Sequence, residues 1–139
     1  MNIRTYQSSD EQQIINLWTE CGLTVPWNDP KKDIQRKVND SPEMFFVGEK
    51  DGKIVASCMA GYDGHRGWIY FLAVKPEYQN KGYARIILEH AEKALLDIEC
   101  PKIELMVRHT NDKVVSFYTH AGYKDDPVIV MSKRLISDE

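Results

Sequence analysis

The chain has 139 residues, of which 28% are charged, and a net charge of −3. That length suits one domain with a real core, and basic residues scattered along an acidic chain exclude the usual footprint of a nucleic-acid binder. No apolar run reaches bilayer length, MNIRTY lacks the apolar core of a signal peptide, and Cys21, Cys58 and Cys100 are spaced as free thiols, so a soluble cytoplasmic protein is expected.

Residues 2–6 (NIRTY) alternate weakly and predict a first strand. Ser9 with Gln12 reads as a capping box for a helix whose Ile14, Leu17, Trp18 and Cys21 share one face and whose stop is Gly22. After the loop LTVPWND, Asp29-Pro30 supplies an N-cap and first position for a second helix, with Ile34 and Val38 as its narrow apolar face. EMFFVGEK and KIVASCMAG flank Asp51-Gly52, a two-residue hairpin signal. The turn GYDGHRG (61–67) leads into WIYFLAV (68–74), whose apolar run predicts a central strand covered by helices on both faces.

A helix after Gly82 sets Ala84, Ile87, Leu88, Ala91 and Leu95 on one face. Pro101 breaks the chain, and KIELMV (102–107) predicts a strand parallel to 68–74, because a helix joins the two. Residues 111–121 predict a helix with Val114, Phe117, Tyr118 and Ala121 inward and Gly122 at its end. One or two strands from Tyr123 to Leu135, around VIVM, close the chain. The fold class is α/β: a mixed central sheet with antiparallel N-terminal strands and a parallel strand–helix–strand core, flanked by helices. No repeat or linker interrupts residues 1–139.

This topology puts YQNKGYA (78–84) at the carboxyl end of a parallel strand, a usual place for ligands. The first N–H groups of a helix lack intrahelical partners and carry the positive end of its dipole, which suits a phosphate. Gly82 permits a positive φ or close approach, Ala84 keeps the way clear, and Lys81 and Arg85 add charge at the rim. A plain strand-to-helix turn would use the same glycine. Neither GxxxxGK[ST] nor GxGxxG occurs, which removes the main support for nucleotide readings.

The pattern V-x-P-x-x-Q-x-x-G-x-A, here Val74, Pro76, Gln79, Gly82 and Ala84, resembles motif A of the GNAT superfamily of acetyl-CoA-dependent N-acetyltransferases. Asn111, Tyr118 seven residues later, and Ala121-Gly122-Tyr123 resemble its second signature, and the resemblance spans the chain. VPWNDP (25–30), DIQRK (33–37) and GYDGHRG are similar to a YpeA-like bacterial subgroup. The resemblance implies a GNAT fold and acetyl-CoA as donor. Leu72 and Val74 would pair with the pantetheine arm beside a bulge. Gln79, Asn80, Lys81, Gly82, Tyr83 and Ala84 would cradle the pyrophosphate, and Asn111, equally suited to capping a helix, would reach the pantetheine.

Acetyl transfer to an amine needs an acid for the leaving thiolate, an oxyanion donor and a proton acceptor. The resemblance makes Tyr118 the acid; spacing alone would make it a core tyrosine. Family glutamates on the two central strands correspond to Trp68 and Met106 here, so the base stays open between Glu104, the loop residues Asp63 and His65, and a water chain. Trp27 either lines the acceptor side or anchors its loop. Histidine spacing suggests no metal site, and no nucleophile elbow argues for a covalent intermediate. The expected activity is direct acetyl transfer to a primary amine of a small molecule or peptide N-terminus, with a possible homodimer and no membrane partner. The alternatives are an acyl-CoA-binding or sensing module without catalysis and a nucleotide-binding regulatory domain.

Overall fold

The computed structural model describes residues 1–139 as two compact units, Met1–Glu104 with Asp138–Glu139, and Leu105–Ser137. In the first, β1 (Asn2–Thr5), β2 (Phe45–Lys50), β3 (Lys53–Tyr62) and β4 (Gly67–Val74) run antiparallel in chain order, and β5 (Ile103–Glu104) lies parallel to β4 at the edge. Helices α1 (Glu11–Glu20) and α2 (Pro30–Asp40) lie between β1 and β2 in the chain, and α3 (Tyr83–Asp97) follows β4. None is long and apolar enough to cross a membrane.

The apolar spacing read from the sequence sets the layers. Ile14, Leu17 and Trp18 of α1 and Ile34 of α2 pack with Phe45, Val47, Met59 and Ala73 in one buried cluster. The Ile, Leu, Phe, Val and Met side chains among them each contribute about 1.5–3 kcal/mol when fully buried. Phe46 points the other way along β2, as strand alternation requires, and meets His90 of α3 edge-on. Ile87, Leu88, Ala91 and Leu95 of α3 are buried. Asp51 and Gly52 both take positive φ, +52° and +76°, the geometry of the tight hairpin turn their pairing suggested.

Several expectations need correction. The reciprocal cap before α1 is Gln7 with Asp10, not Ser9 with Gln12. Asp10 is buried and needs several donors: it accepts the Gln7 N–H at 2.9 Å and a two-pronged contact from Arg4 at 2.8 and 3.0 Å. Strand β4 is not covered on both faces along its whole length, since Tyr70 stands 44% exposed. The strand expected over 102–107 is only Ile103–Glu104, because its ladder with β4 consists of Gly67↔Ile103 and Trp68↔Glu104.

The second unit holds α4 (Asp112–His120), with Phe117, Tyr118 and Tyr123 in successive edge-to-face contacts. The closing strands expected between Tyr123 and Leu135 do not form. Val128, Ile129, Val130 and Met131 have strand-forming side chains but are 65–85% exposed. Strand preference is realised only against a neighbouring strand, and α4 is the one regular element of this unit.

Candidate active site

The site starts from an irregularity in β4. Ser57 pairs with Ala73 and Met59 with Tyr70, so Phe71 and Leu72 together face Cys58: one extra residue, a β-bulge. Phe71 takes φ +51°, a strained value for a side chain of its size. A buried relay holds it there. The Trp18 indole N–H donates to Ser57 Oγ at 3.0 Å, and the Ser57 hydroxyl donates to the Phe71 carbonyl at 2.8 Å. The Trp18 and Phe71 rings stack at 3.9 Å. Sequence reasoning missed Ser57; its signal was a hydroxyl inside the apolar run KIVASCMAG.

Beyond the bulge, Lys75 N–H donates to the Val55 carbonyl. Antiparallel alternation therefore turns the main-chain groups of Leu72 and Val74 to the edge away from β3. This is the edge β5 follows only as far as Trp68. The Val74 carbonyl already accepts the Gln79 side-chain amide at 2.9 Å and the Cys21 thiol at 3.3 Å. Gln79 thus staples the turn 75–82 back onto the strand.

That turn closes through Asn80 at φ +62° and Gly82 at φ +85°. Gly82 caps α3 with no side chain, and the helix's first main-chain bond is Ile86 N–H to the Gly82 carbonyl. The earlier N–H groups have no carbonyl of their own helix to reach. A Cβ built on Gly82 would meet nothing within 4 Å, so the space the glycine faces is open. Lys81 lies over the Tyr78 ring and Lys50 over the Tyr83 ring, which gathers two cations around the helix start. Arg85 pairs with Glu89 one turn on.

A pocket of ≈ 390 Å³ opens on the α2 side of the sheet. Its sheet wall includes Met59 and Gly61 of β3 and Trp68 and Tyr70 of β4. Asp63 stands at its rim, and Lys37 and Asp40 of α2 lie opposite. Burial pushes the Lys37 ammonium below its ordinary pKa, and the ammonium donates to the Ala60 carbonyl and to Ser41 Oγ. Of these residues, only Asp63 was a site candidate in the sequence.

The candidates for base differ sharply. The Asp63 Oδ1 accepts the N–H groups of His65 and Arg66, both at 2.8 Å. The Arg66 N–H, then that of His65, hold this carboxyl below the usual carboxylate range, which makes it a poor proton acceptor. His65 is exposed and does not line the pocket. Glu104 is paired across the ladder with Trp68, so both side chains rise from the same face of the sheet. Its carboxylate lies 3.6 Å from Arg66 Nε and 3.8 Å from Lys102 Nζ. Trp27, half exposed in the α1–α2 loop, is not part of the pocket wall.

In the second unit, the Asn111 Oδ1 accepts Val114 N–H at 3.3 Å, so the residue caps α4. Tyr118 lies half-buried between Phe117 and Tyr123. The three cysteines are free, and burial pushes the Cys58 thiol up to about 12, which leaves it inert.

Residues 11–123 match the acetyltransferase (GNAT) family model. Acetyltransferases of Yersinia enterocolitica and Sodalis glossinidius are each 46% identical, over 139 and 140 aligned residues, covering 100% of this chain and 99% of each relative. Among solved structures, the Escherichia coli ribosomal-protein-S18-alanine N-acetyltransferase superposes with a TM-score of 0.75 at 22% identity, covering 90% of this chain and 78% of its own. An N-acetyltransferase of Thermoplasma acidophilum, solved with coenzyme A, superposes with a TM-score of 0.71 at 20% identity, covering 92% of each chain. With the family match over residues 11–123 and 46% identity along its full length, the chain belongs to the GNAT family and is an N-acetyltransferase.

Proposed function

We propose that residues 1–139 act as one catalytic domain that moves an acetyl group directly from acetyl-CoA to a primary amine. The observation that carries this reading is the main-chain arrangement from Phe71 to Gly82: a bulge that turns Leu72 and Val74 outward, then a glycine-capped helix start. The main chain of Leu72 and Val74 pairs with the pantetheine arm. The N–H groups from Asn80 to Ala84, with Lys81 beside them, hold the pyrophosphate. Asn111 retains its amide NH₂ for the arm while its oxygen caps α4.

Bound acetyl-CoA supplies an activated acetyl group. A main-chain N–H at the bulge polarises its carbonyl, and the Trp18–Ser57 relay keeps that donor fixed before reaction begins. Tyr118 donates its phenolic proton to the leaving thiolate. Glu104 accepts the amine's proton through one water, from the sheet face it shares with Trp68. Asp63 holds the turn before β4 in shape, with its carboxylate committed to two main-chain donors.

Calorimetric titration of acetyl-CoA, followed by thiol release across a panel of amines and peptide N-termini, tests the reading. Binding and turnover together sustain it. Binding with no turnover on any acceptor would favour the acyl-CoA-sensing alternative, and absence of binding would remove the cofactor assignment itself.

A further inference from the structure

The pocket beside β4 contains more recognition chemistry than the transfer step needs. Trp68 and Tyr70 stand two residues apart on one face of the strand, their rings 19° from parallel and 6.4 Å between centroids. Tyr70 immediately precedes the bulge, so this aromatic wall runs up to the main chain assigned to the thioester. Gly61 of the neighbouring strand leaves room for Lys37, whose Nζ lies 3.8 Å from where a Cβ would stand. The volume, ≈ 390 Å³, is at the small-molecule end of the range for ligand pockets.

The charged groups around the pocket are already committed to other partners. Arg36 is engaged by Asp138 and Asp33. Lys37 is held by a carbonyl and a hydroxyl, Asp63 by two main-chain N–H groups and the Trp68 indole at 3.4 Å, and Asp40 by the Ser41 hydroxyl. The lining itself holds two cations and two carboxylates, and Asp33 and Asp138 on Arg36 bring the carboxylates to four, which leaves these six groups two negative charges in excess. No guanidinium fork is left for a carboxylate or phosphate. The faces of Trp68 and Tyr70 are what remains for a ligand, and aromatic faces attract cations and apolar bodies.

We propose that this pocket is the acceptor site and that it takes a small monocationic amine on an aromatic or aliphatic body, with no anionic group. The proposal rests on the acetyl-transfer reading and narrows its acceptor. The ammonium enters toward the carboxylates, its body lies against Trp68 and Tyr70, and Glu104 stands on the same sheet face to receive its proton.

The test compares phenethylamine with 4-(2-aminoethyl)benzoate, the same body carrying a carboxylate, and with glucosamine 6-phosphate, using the full chain and acetyl-CoA. Phenethylamine should exceed both in kcat/KM by roughly tenfold or more, and Tyr70→Ala should lower its kcat/KM by roughly tenfold while acetyl-CoA affinity is unchanged. Tyr70 is partly exposed, so that variant should fold; Trp68→Phe, which keeps a ring, should fall less. Equal or better use of the anionic acceptors, or an indifferent Tyr70→Ala, would overturn the proposal. Calorimetry of phenethylamine separates it from the parent reading. Binding that Tyr70→Ala weakens, without turnover of any amine, would uphold the pocket and refute the transferase chemistry. Turnover of other amines with no phenethylamine binding would do the reverse.

Discussion

In the proposed reaction, the stretch from Phe71 to Gly82 would meet the cofactor mostly with main chain, whereas Asn111 and Tyr118, between Leu105 and Ser137, would act through side chains. The first stretch is pinned by fully buried neighbours, Trp18 and Ser57, and by the Gln79 staple. The second is built on a nine-residue helix with no buried residue. Function in the first region therefore depends on backbone geometry set by a packed core, and changes there should appear in cofactor binding. In the second it depends on single functional groups, and changes there should appear in turnover.

The sharpest test of that division is Tyr118→Phe. The ring contacts to Phe117 and Tyr123 survive, and only the hydroxyl goes. Loss of a transition-state acid costs on the order of 100-fold in rate, so kcat with a responsive amine should fall by that factor while acetyl-CoA affinity holds. A kcat within twofold of wild type would make Tyr118 a packing residue.

Gly82→Val should do the opposite. Space does not forbid the side chain, because nothing lies within 4 Å of its Cβ, but φ +85° does. A β-branched residue there costs about 1–3 kcal/mol of strain or moves the turn, and its methyls face the phosphate's approach. Acetyl-CoA affinity measured by calorimetry should fall at least about tenfold with the fold intact. Unchanged affinity would separate this helix start from the cofactor.

Ser57→Ala probes the core that supports the bulge. It leaves the buried Trp18 indole N–H and the Phe71 carbonyl without their shared partner, a cost of about 1–3 kcal/mol. The melting temperature should fall by roughly 5–10 °C, and acetyl-CoA should bind a few-fold more weakly as Phe71 relaxes from positive φ. A drop in stability with affinity untouched would show that the relay supports the core but not the cofactor groove.

The two regions were also unequally legible. Glycines and prolines mark backbone geometry directly, so Gly82, Asp51-Gly52 and Asp29-Pro30 stood out, as did the apolar period of α1 and α3. The bulge was expected only through the family resemblance, because a one-residue slip between strands leaves no mark in either strand alone and is forced here by Phe71 in an unusual φ. Ser57 and Lys37 look like ordinary strand and helix residues until their partners, 14 and 23 positions away, are known. The VIVM segment misled for the opposite reason: local strand preference was clear, and the neighbour it needs is missing from its own unit.

The remaining effect falls at Glu104, the last residue of β5. A free alkylamine of pKa near 10 is neutral in roughly one molecule per thousand at neutral pH, so some group must take its proton. Glu104 shares a sheet face with Trp68 at the pocket wall, but Arg66 and Lys102 already share its carboxylate. The water that must bridge the amine and this carboxylate costs efficiency. The Glu104→Gln loss should therefore stay well short of the hundredfold typical of direct general bases, at roughly three- to tenfold in kcat/KM at pH 7. Its signature is the pH profile: without an acceptor, the variant must wait for amine that is already neutral, so its rate should climb toward the amine's own pKa and approach wild type there. Acetyl-CoA affinity should not change. A variant profile parallel to wild type across that range would take Glu104 out of the chemistry. Because the main-chain donors of Arg66 and His65 hold Asp63 as a poor proton acceptor, proton removal would then fall to a water chain reaching solvent from the pocket rim.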